Sequence, residues 1–114
     1  MLNREKMQKT YMHTGIPVPA KMDGMNYMDS LKVWIGYNKD YDIEYLYWEK
    51  DTPAAYRMVV ETHVAYKVAD VQAAVDEVVA AGAAVLLPKL VLGGTTAIAF
   101  VSIKDGPVVE FYQD

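Results

Sequence analysis

Residues 62–83 read THVAYKVADVQAAVDEVVAAGA, and this stretch decides the fold. Its first part, residues 62–68, has a β-branched or aromatic side chain at every second position, which predicts a strand. Asp70 is suited to cap a following helix, in which valine and alanine recur at helical spacing over residues 71–79. Gly82 fits the left-handed position that ends such a helix. We therefore predict a strand and an amphipathic helix that packs on a sheet.

The sequence after this helix predicts three further strands. The predicted strands are residues 84–87, ended by Pro88; residues 96–103, after a turn at Gly93-Gly94; and residues 108–112, after a tight turn at residues 104–107. The second half of the chain therefore has the predicted order β-α-β-β-β.

The first half of the chain predicts the same order without the helix. Strands are expected at residues 11–18, 31–37 and 43–49, and the turn-rich residues 38–42 join the last two into a hairpin. Pro17 should place the first strand at a sheet edge or at a bulge. Two connections complete this half: residues 20–29, predicted to be a loop, and residues 53–60, predicted to bridge to the second half with one helical turn.

The composition indicates a single domain, residues 1–114. The chain is 53% hydrophobic and 23% charged, and a chain of this length buries roughly two thirds of its unfolded surface. Residues 1–56 contain seven of the nine tyrosines and both tryptophans, whereas residues 57–114 are rich in alanine and valine. Either half alone would be marginally stable. We therefore predict one domain made of two unequal units.

Composition and charge also exclude several classes of protein. The absence of cysteine excludes a disulfide framework and thiolate metal sites. No apolar run approaches the roughly 20 residues that span a bilayer, and the first residues do not resemble a signal peptide, so a cytoplasmic protein is the default expectation. The net charge is −4 and only two of the 11 basic residues are arginine, which argues against nucleic-acid binding.

Three segments resemble the vicinal oxygen chelate superfamily, which contains glyoxalase I, methylmalonyl-CoA epimerase, extradiol dioxygenases and the bleomycin- and fosfomycin-resistance proteins. They are residues 63–70, the end of the helix at residues 81–83, and residues 99–113 with their Asp-Gly-Pro-Val-Val-Glu sequence. The resemblance implies an α+β fold in which paired βαβββ-type units form a curled, glyoxalase-like mixed sheet. Residues 62–114 would be the second unit, and residues 11–50 a degenerate first unit that lacks its helix.

The same resemblance implies a metal site. The metal ligands of the family lie near the start of the first strand and within the last strand of each unit. These positions fall on His63 and Glu110 in the second unit, and the corresponding strands of the first unit nominate His13 and Glu44. Glu49, at the end of the same predicted strand, is a rival to Glu44, although it is expected to be a surface glutamate.

Two features of the residues themselves support this site. The chain has only two histidines, and both fall near the start of a predicted first strand. Two imidazoles and two carboxylates suit a divalent ion such as zinc, nickel, cobalt, manganese or iron(II). Strand alternation places His63 and Glu110 on one face of the sheet, whereas Val64 and Phe111 face the helix.

A pocket for a small-molecule ligand is expected beside these residues. Strand alternation places Lys32 and Trp34 on one face of their strand, and Trp48 on the same face as Glu44. In the second unit, it places Lys67 on the face of His63 and Tyr112 on the face of Glu110. The predicted pocket residues are Lys32, Trp34, Trp48, Lys67 and Tyr112. Ordinary packing is the competing interpretation of these side chains. We also expect a homodimer, because a unit without its helix leaves an apolar sheet face uncovered, and the cavity could form within one chain or across two.

The resemblance implies a metal-dependent lyase or isomerase of the glyoxalase type. A divalent ion would polarise two adjacent substrate oxygens, and Glu110 or Glu44 would shuttle a proton. An iron(II) dioxygenase would use two histidines and one carboxylate, so a fourth ligand argues against it. The alternative is a metal-free dimer that sequesters a small molecule in an acidic, aromatic cleft, as in bleomycin resistance.

Overall fold

The computed structural model describes residues 7–114, which form one mixed sheet and two helices. The elements are β1 (Lys9–Pro17), β2 (Asn26–Met28), β3 (Val33–Asn38), β4 (Ile43–Trp48), α1 (Tyr56–Val60), β5 (His63–Val68), α2 (Val71–Ala80), β6 (Ala84–Gly93), β7 (Thr96–Ser102) and β8 (Val108–Gln113). The strand order across the sheet is β2-β3-β4-β1-β5-β8-β7-β6. Neither helix in the described part has the length and apolarity needed to cross a bilayer.

The sheet consists of two four-stranded units that meet at its centre. In each unit the first strand is parallel to the last, β1 to β4 and β5 to β8, and the remaining neighbours within the unit are antiparallel. The two first strands, β1 and β5, pair antiparallel and join the units. Helix α2 follows β5, whereas a loop follows β1. This confirms the predicted α+β, glyoxalase-like architecture with a first unit that lacks its helix.

Helix α2 covers the outer face of the second unit, as predicted. The Asp70 carboxylate accepts a hydrogen bond from the Ala73 backbone N–H and caps the helix start. After the helix, Gly82 adopts a φ of +103°, which favours glycine. The apolar side of the helix buries Val71 and Val75 in a cluster with Val68, Ala74, Ala99, Val101, Val109 and Phe111.

The inner faces of the two units pack against each other within one chain. Leu31, Val33 and Leu46 from the first unit share a buried cluster with residues of the second. The other buried members of the cluster are Met58 of α1 with Ile98, Phe100 and Val108. Both units therefore contribute to the core on the concave side of the sheet.

A loop takes the place of the missing helix on the outer face of the first unit. The Met25 side chain is 8% exposed and lies over Gly36, where an added Cβ would be 3.4 Å from the Met25 Cγ. The Lys21 ammonium lies 3.7 Å from the centroid of the Trp34 ring. This loop therefore covers part of the sheet face that was expected to be uncovered.

Proline accounts for two differences between the predicted and observed strands. Strand β1 lies in the middle of the sheet and not at its edge, and Pro17 is tolerated because it is the last residue and pairs only with Leu46 of β4. The bulge of this strand lies between Tyr11 and His13. Strand β6 does not end at Pro88 but continues to Gly93, because an edge strand does not need every backbone N–H.

The remaining difference lies in the segment predicted to be a loop. Residues 20–29 include the three-residue strand β2, which pairs antiparallel with β3 at the other edge of the sheet. Its sequence, Asn-Tyr-Met, is too short for strand alternation to be recognised.

Candidate metal centre

Four side chains converge at the centre of the concave face. They come from the four adjacent central strands: Glu44 from β4, His13 from β1, His63 from β5 and Glu110 from β8. One nitrogen or carboxylate oxygen of each residue lies within 4.8 Å of those of the other three. The structure thus brings together the four residues nominated from the sequence, and Glu49 is not among them.

Strand pairing explains why these side chains meet. Gly15 of β1 lies between Glu44 of β4 and His63 of β5 in the register of the sheet. A Cβ atom at Gly15 would lie only 2.1 Å from Cε1 of the His63 ring. The missing side chain at Gly15 therefore provides the space that the His63 imidazole occupies. Sequence reasoning missed this residue, although it follows His13 by two positions and so shares its face.

The distances within the cluster are short. Nε2 of His63 and Oε1 of Glu110 are hydrogen-bonded at 3.0 Å. Nε2 of His13 lies 3.3 Å from Oε1 of Glu110 and 3.3 Å from Oε1 of Glu44. The residues His13, His63 and Glu110 are 4%, 1% and 6% exposed, whereas the Glu44 side chain is 19% exposed. Glu44 is therefore the member of the cluster with the most access to solvent.

The charges of the cluster stabilise one another. Burial by itself would lower the pKa of His13, but the nearby carboxylates of Glu110 and Glu44 raise it from 6.5 to about 9. Burial would likewise raise the pKa of Glu110, but His13 and His63 lower it below its usual value. The carboxylate of Glu110 is therefore kept ionised in a buried position, which suits a metal ligand.

The donor atoms fit a divalent ion. Ligand bonds of about 2.1 Å place neighbouring donor atoms roughly 3.0 Å apart around an octahedral ion and roughly 3.4 Å apart around a tetrahedral one. The three histidine–glutamate separations described above, from 3.0 to 3.3 Å, fall in this range. Nε2 of His13 is also buried and makes no hydrogen bond of good geometry within residues 7–114. A nitrogen that faces two carboxylates in this way can share an ion with them, and without an ion it is stabilised by their charges.

A cavity of about 110 Å³ lies beside the cluster, within one chain. His13, Glu44 and Glu110 form its polar end, and both units contribute apolar walls. Of the five predicted pocket residues, Trp48 and Tyr112 line this cavity.

The structure places the other three predicted pocket residues elsewhere. Lys32 forms an ion pair with Asp51 at 2.5 Å, and Lys67 forms one with Asp114. Trp34 lies on the outer face under Lys21, because its neighbours on β3, Val33 and Ile35, are the residues that face the cavity. Strand alternation does not apply to Lys32, which precedes β3 and has a positive φ of 50°.

Comparisons with known proteins support the fold. No protein-family model and no curated protein matches the chain. Among solved structures, the hypothetical protein BH1468 from Bacillus halodurans C-125 is 21% identical, with a TM-score of 0.69 over 93% of this chain and 94% of that chain. Methylmalonyl-CoA epimerase from Mycobacterium tuberculosis is 14% identical, with a TM-score of 0.66 over 99% of this chain and 92% of that chain. The chain therefore has the same fold as these two proteins, a curled mixed sheet made of two four-stranded units.

Proposed function

We propose that this chain is a metal-dependent lyase or isomerase of the glyoxalase type, with His13, Glu44, His63 and Glu110 as the metal ligands. The observation that supports this proposal best is the convergence of two imidazoles and two carboxylates from four adjacent strands at one end of an apolar cavity. When bound, a divalent zinc, nickel, cobalt, manganese or iron ion supplies Lewis acidity toward two adjacent substrate oxygens.

The two glutamates have different surroundings, which suggests different roles. Oε1 of Glu110 contacts both histidines, so this carboxylate is held in place. Among residues 7–114, the carboxylate of Glu44 lies within ion-pair distance of one histidine, His13, and its side chain is more exposed. We therefore assign Glu44 as the base that takes a proton from the carbon next to the substrate carbonyl and returns it, with Glu110 as the other candidate.

The surroundings of the cluster favour this chemistry. The apolar walls of the cavity lower the polarity around its polar end, where electrostatic interactions are then stronger than in bulk water. The structural similarity to a methylmalonyl-CoA epimerase is consistent with a proton transfer at carbon, since an epimerase inverts a stereocentre.

Metal analysis of the purified full-length protein tests the ligand assignment. We expect about one divalent ion per chain in the wild type, and none in His63→Ala or Glu110→Gln. Glu49→Gln is the matched control, because it removes the same charge at a glutamate outside the cluster and should keep the ion. A wild type that takes up no ion after incubation with zinc, nickel, cobalt, manganese or iron(II) would contradict the proposal.

Proton exchange tests the proposed chemistry. In deuterium oxide, the metal-loaded protein should catalyse exchange of the hydrogen next to the carbonyl of small 2-hydroxy ketones, followed by NMR. Glu44→Gln should slow this exchange by about 100-fold or more, which is the usual contribution of a general base. Exchange at the wild-type rate in Glu44→Gln would transfer the role to Glu110.

The second candidate function is metal-free binding of a small molecule by a dimer. The apolar, partly aromatic lining of the cavity, with Trp48 and Phe100, favours it. This function predicts a protein that takes up no ion and still retains a small aromatic ligand. We propose the dimer for either function, and light scattering after gel filtration would distinguish two chains from one.

A further inference from the structure

The cavity beside the cluster reaches both edges of the sheet. Met28 of β2 and Leu92 of β6 both line it, although their strands lie at opposite ends of the strand order. In the first unit, Met28 pairs with Val33, which in turn pairs with Trp48 of β4. Trp48 follows Glu44 by four residues, or roughly 13 Å along the strand. Met28 therefore lies at the end of the cavity away from the cluster.

The second unit places Leu92 at the same end. Phe100 of β7 pairs with Glu110 of the cluster. Leu92 follows Val91, which pairs with Ala97 of β7. Ala97 precedes Phe100 by three residues, or roughly 10 Å along the strand. The two edge strands therefore face each other across the cavity at the end opposite the cluster.

Leu92 lies at the opening of the cavity. Among residues 7–114 it is the one member of the lining that is exposed, at 39%, whereas Ile98 and Phe100 of β7 are both 4% exposed. Leu92 also lies outside the buried cluster of the concave face, against which Leu87 and Leu90 of the same strand pack. Its side chain therefore contributes little to the core and is available for contact with a molecule that enters the cavity.

The volume of the cavity limits what can lie behind Leu92. The cavity measures about 110 Å³. A water molecule, which is similar in size to a methylene group, takes up roughly 30 Å³ in the liquid. About four such groups therefore fill the space between the cluster and the opening. A longer chain would meet the Leu92 side chain.

We propose that Leu92 is a specificity-determining residue that sets the length of the molecules that the cavity accepts. A molecule held at the cluster keeps a chain of up to about four carbon atoms inside the cavity, and a longer one has to displace the Leu92 side chain from the opening. The inference rests on the proposed function, because the metal of the cluster fixes one end of the molecule. It concerns the reach of the cavity and not the group that binds the metal.

Hydroxamic acids bind zinc and can carry a chain of any chosen length, so they measure this limit. Straight-chain hydroxamic acids with two to eight carbons would be titrated calorimetrically into the zinc-loaded, full-length protein. Each added methylene group should tighten binding by up to about fourfold until the acid has about five carbons. The eight-carbon acid should bind about tenfold more weakly than the five-carbon acid, because its end displaces Leu92. An eight-carbon acid that binds as tightly as the five-carbon acid, or more tightly, would overturn the inference.

Two matched variants locate the limit at Leu92. Leu92→Ala shortens the side chain at the opening, and the eight-carbon acid should then bind at least as tightly as the five-carbon acid. Val91→Ala truncates the neighbouring side chain, which is 57% exposed and is not part of the cavity lining, and should leave the difference between the two acids unchanged. Because both residues are exposed, both variants should fold and keep the zinc content of the wild type. A preference for the five-carbon acid that survives in Leu92→Ala would refute the role of Leu92.

The two-carbon acid separates this inference from the proposed function. If the protein takes up no zinc, or if the two-carbon acid does not bind the zinc-loaded protein, the proposed function fails and the inference fails with it. If the two-carbon acid binds and the affinity still rises from five to eight carbons, the metal site stands and only the limit at Leu92 is wrong.

Discussion

The two units build the same inner face but cover their outer faces differently. Each supplies one histidine and one glutamate from a parallel pair of strands, β1 with β4 and β5 with β8. Behind these strands, the second unit places α2, whereas the first places a loop that contains Met25. Strand pairing therefore sets the geometry of the cluster, whether a helix or a loop covers the outer face of the unit.

The same comparison explains the uneven composition of the chain. The second unit has alanine and valine on α2 and on the strands below it, because helix and sheet pack closely there. The first unit has no helix, and large side chains occupy its outer face. The rings of Tyr27 and Trp34 lie 4.9 Å apart in a tilted arrangement, and Met25 of the loop lies over Gly36. Aromatic residues and methionine thus provide the bulk that a helix would otherwise supply.

The largest effect is expected where the two units touch at the cluster. Gly15→Ala should destabilise the protein by more than about 3 kcal/mol and abolish metal uptake, because its Cβ would overlap the His63 ring. Urea unfolding and metal analysis measure the two effects. Gly36→Ala is the control within the same unit, since its Cβ would make ordinary contact with Met25. Normal metal uptake by Gly15→Ala would show that the His63 ring does not need the space that Gly15 leaves between the two units.

The next effect compares the two glutamates in the absence of metal. Glu110→Gln should lower the free energy of unfolding of the chelator-treated protein by about 2 to 3 kcal/mol, because Glu110 is buried and contacts both histidines. Glu44→Gln should lower the free energy of unfolding by a smaller amount, since Glu44 is more exposed and lies close to one histidine, His13. If chemical denaturation shows that the two variants lose equal free energies of unfolding, the two units contribute equally to the charge balance of the cluster.

A smaller effect tests whether the loop stabilises the first unit as a helix would. Met25→Ala should cost about 2 kcal/mol, because it removes a buried side chain from the outer face. Met22, which is 42% exposed, provides the control, and Met22→Ala should change the free energy of unfolding by less than about 0.5 kcal/mol. If both variants unfold at the same urea concentration as the wild type, the loop lies on the sheet without stabilising it.

The smallest effect concerns the helix of the second unit. Asp70→Ala should lower the free energy of unfolding by about 1 kcal/mol, because it removes the hydrogen bond to the Ala73 backbone N–H. Its metal content should equal that of the wild type, since α2 lies on the outer face. A variant that lost the ion would show that the helix does control the cluster.

The sequence predicted the second unit better than the first. Asp70 indicates the start of α2, Gly82 indicates its end, and the helical spacing of valine indicates its buried face. The structure agrees with each of these three predictions. In β3, by contrast, both alternating sets are apolar or aromatic: Val33 and Ile35 on one face, Trp34 on the other. Alternation then separates the faces but does not identify the inner one.

The members of the cluster were nominated from the sequence, but their environment was not. The pairing of Gly15 with both neighbouring strands depends on strand register, and the burial of the Trp48 indole N–H without a partner among residues 7–114 depends on the packing of two distant units. Neither property is encoded by local spacing. The position of β2 and the continuation of β6 past Pro88 depend in the same way on the sheet that they join.

The two edge strands have a consequence for the behaviour of the protein at high concentration. An exposed edge is a template on which further chains can add as strands and grow into fibrils. At one edge, β2 offers only three residues. At the other, β6 has Pro88 near its middle and shifts register between Leu87 and Leu90, so an incoming strand would find the row of hydrogen-bonding groups interrupted. The sheet therefore resists open-ended growth from both of its sides.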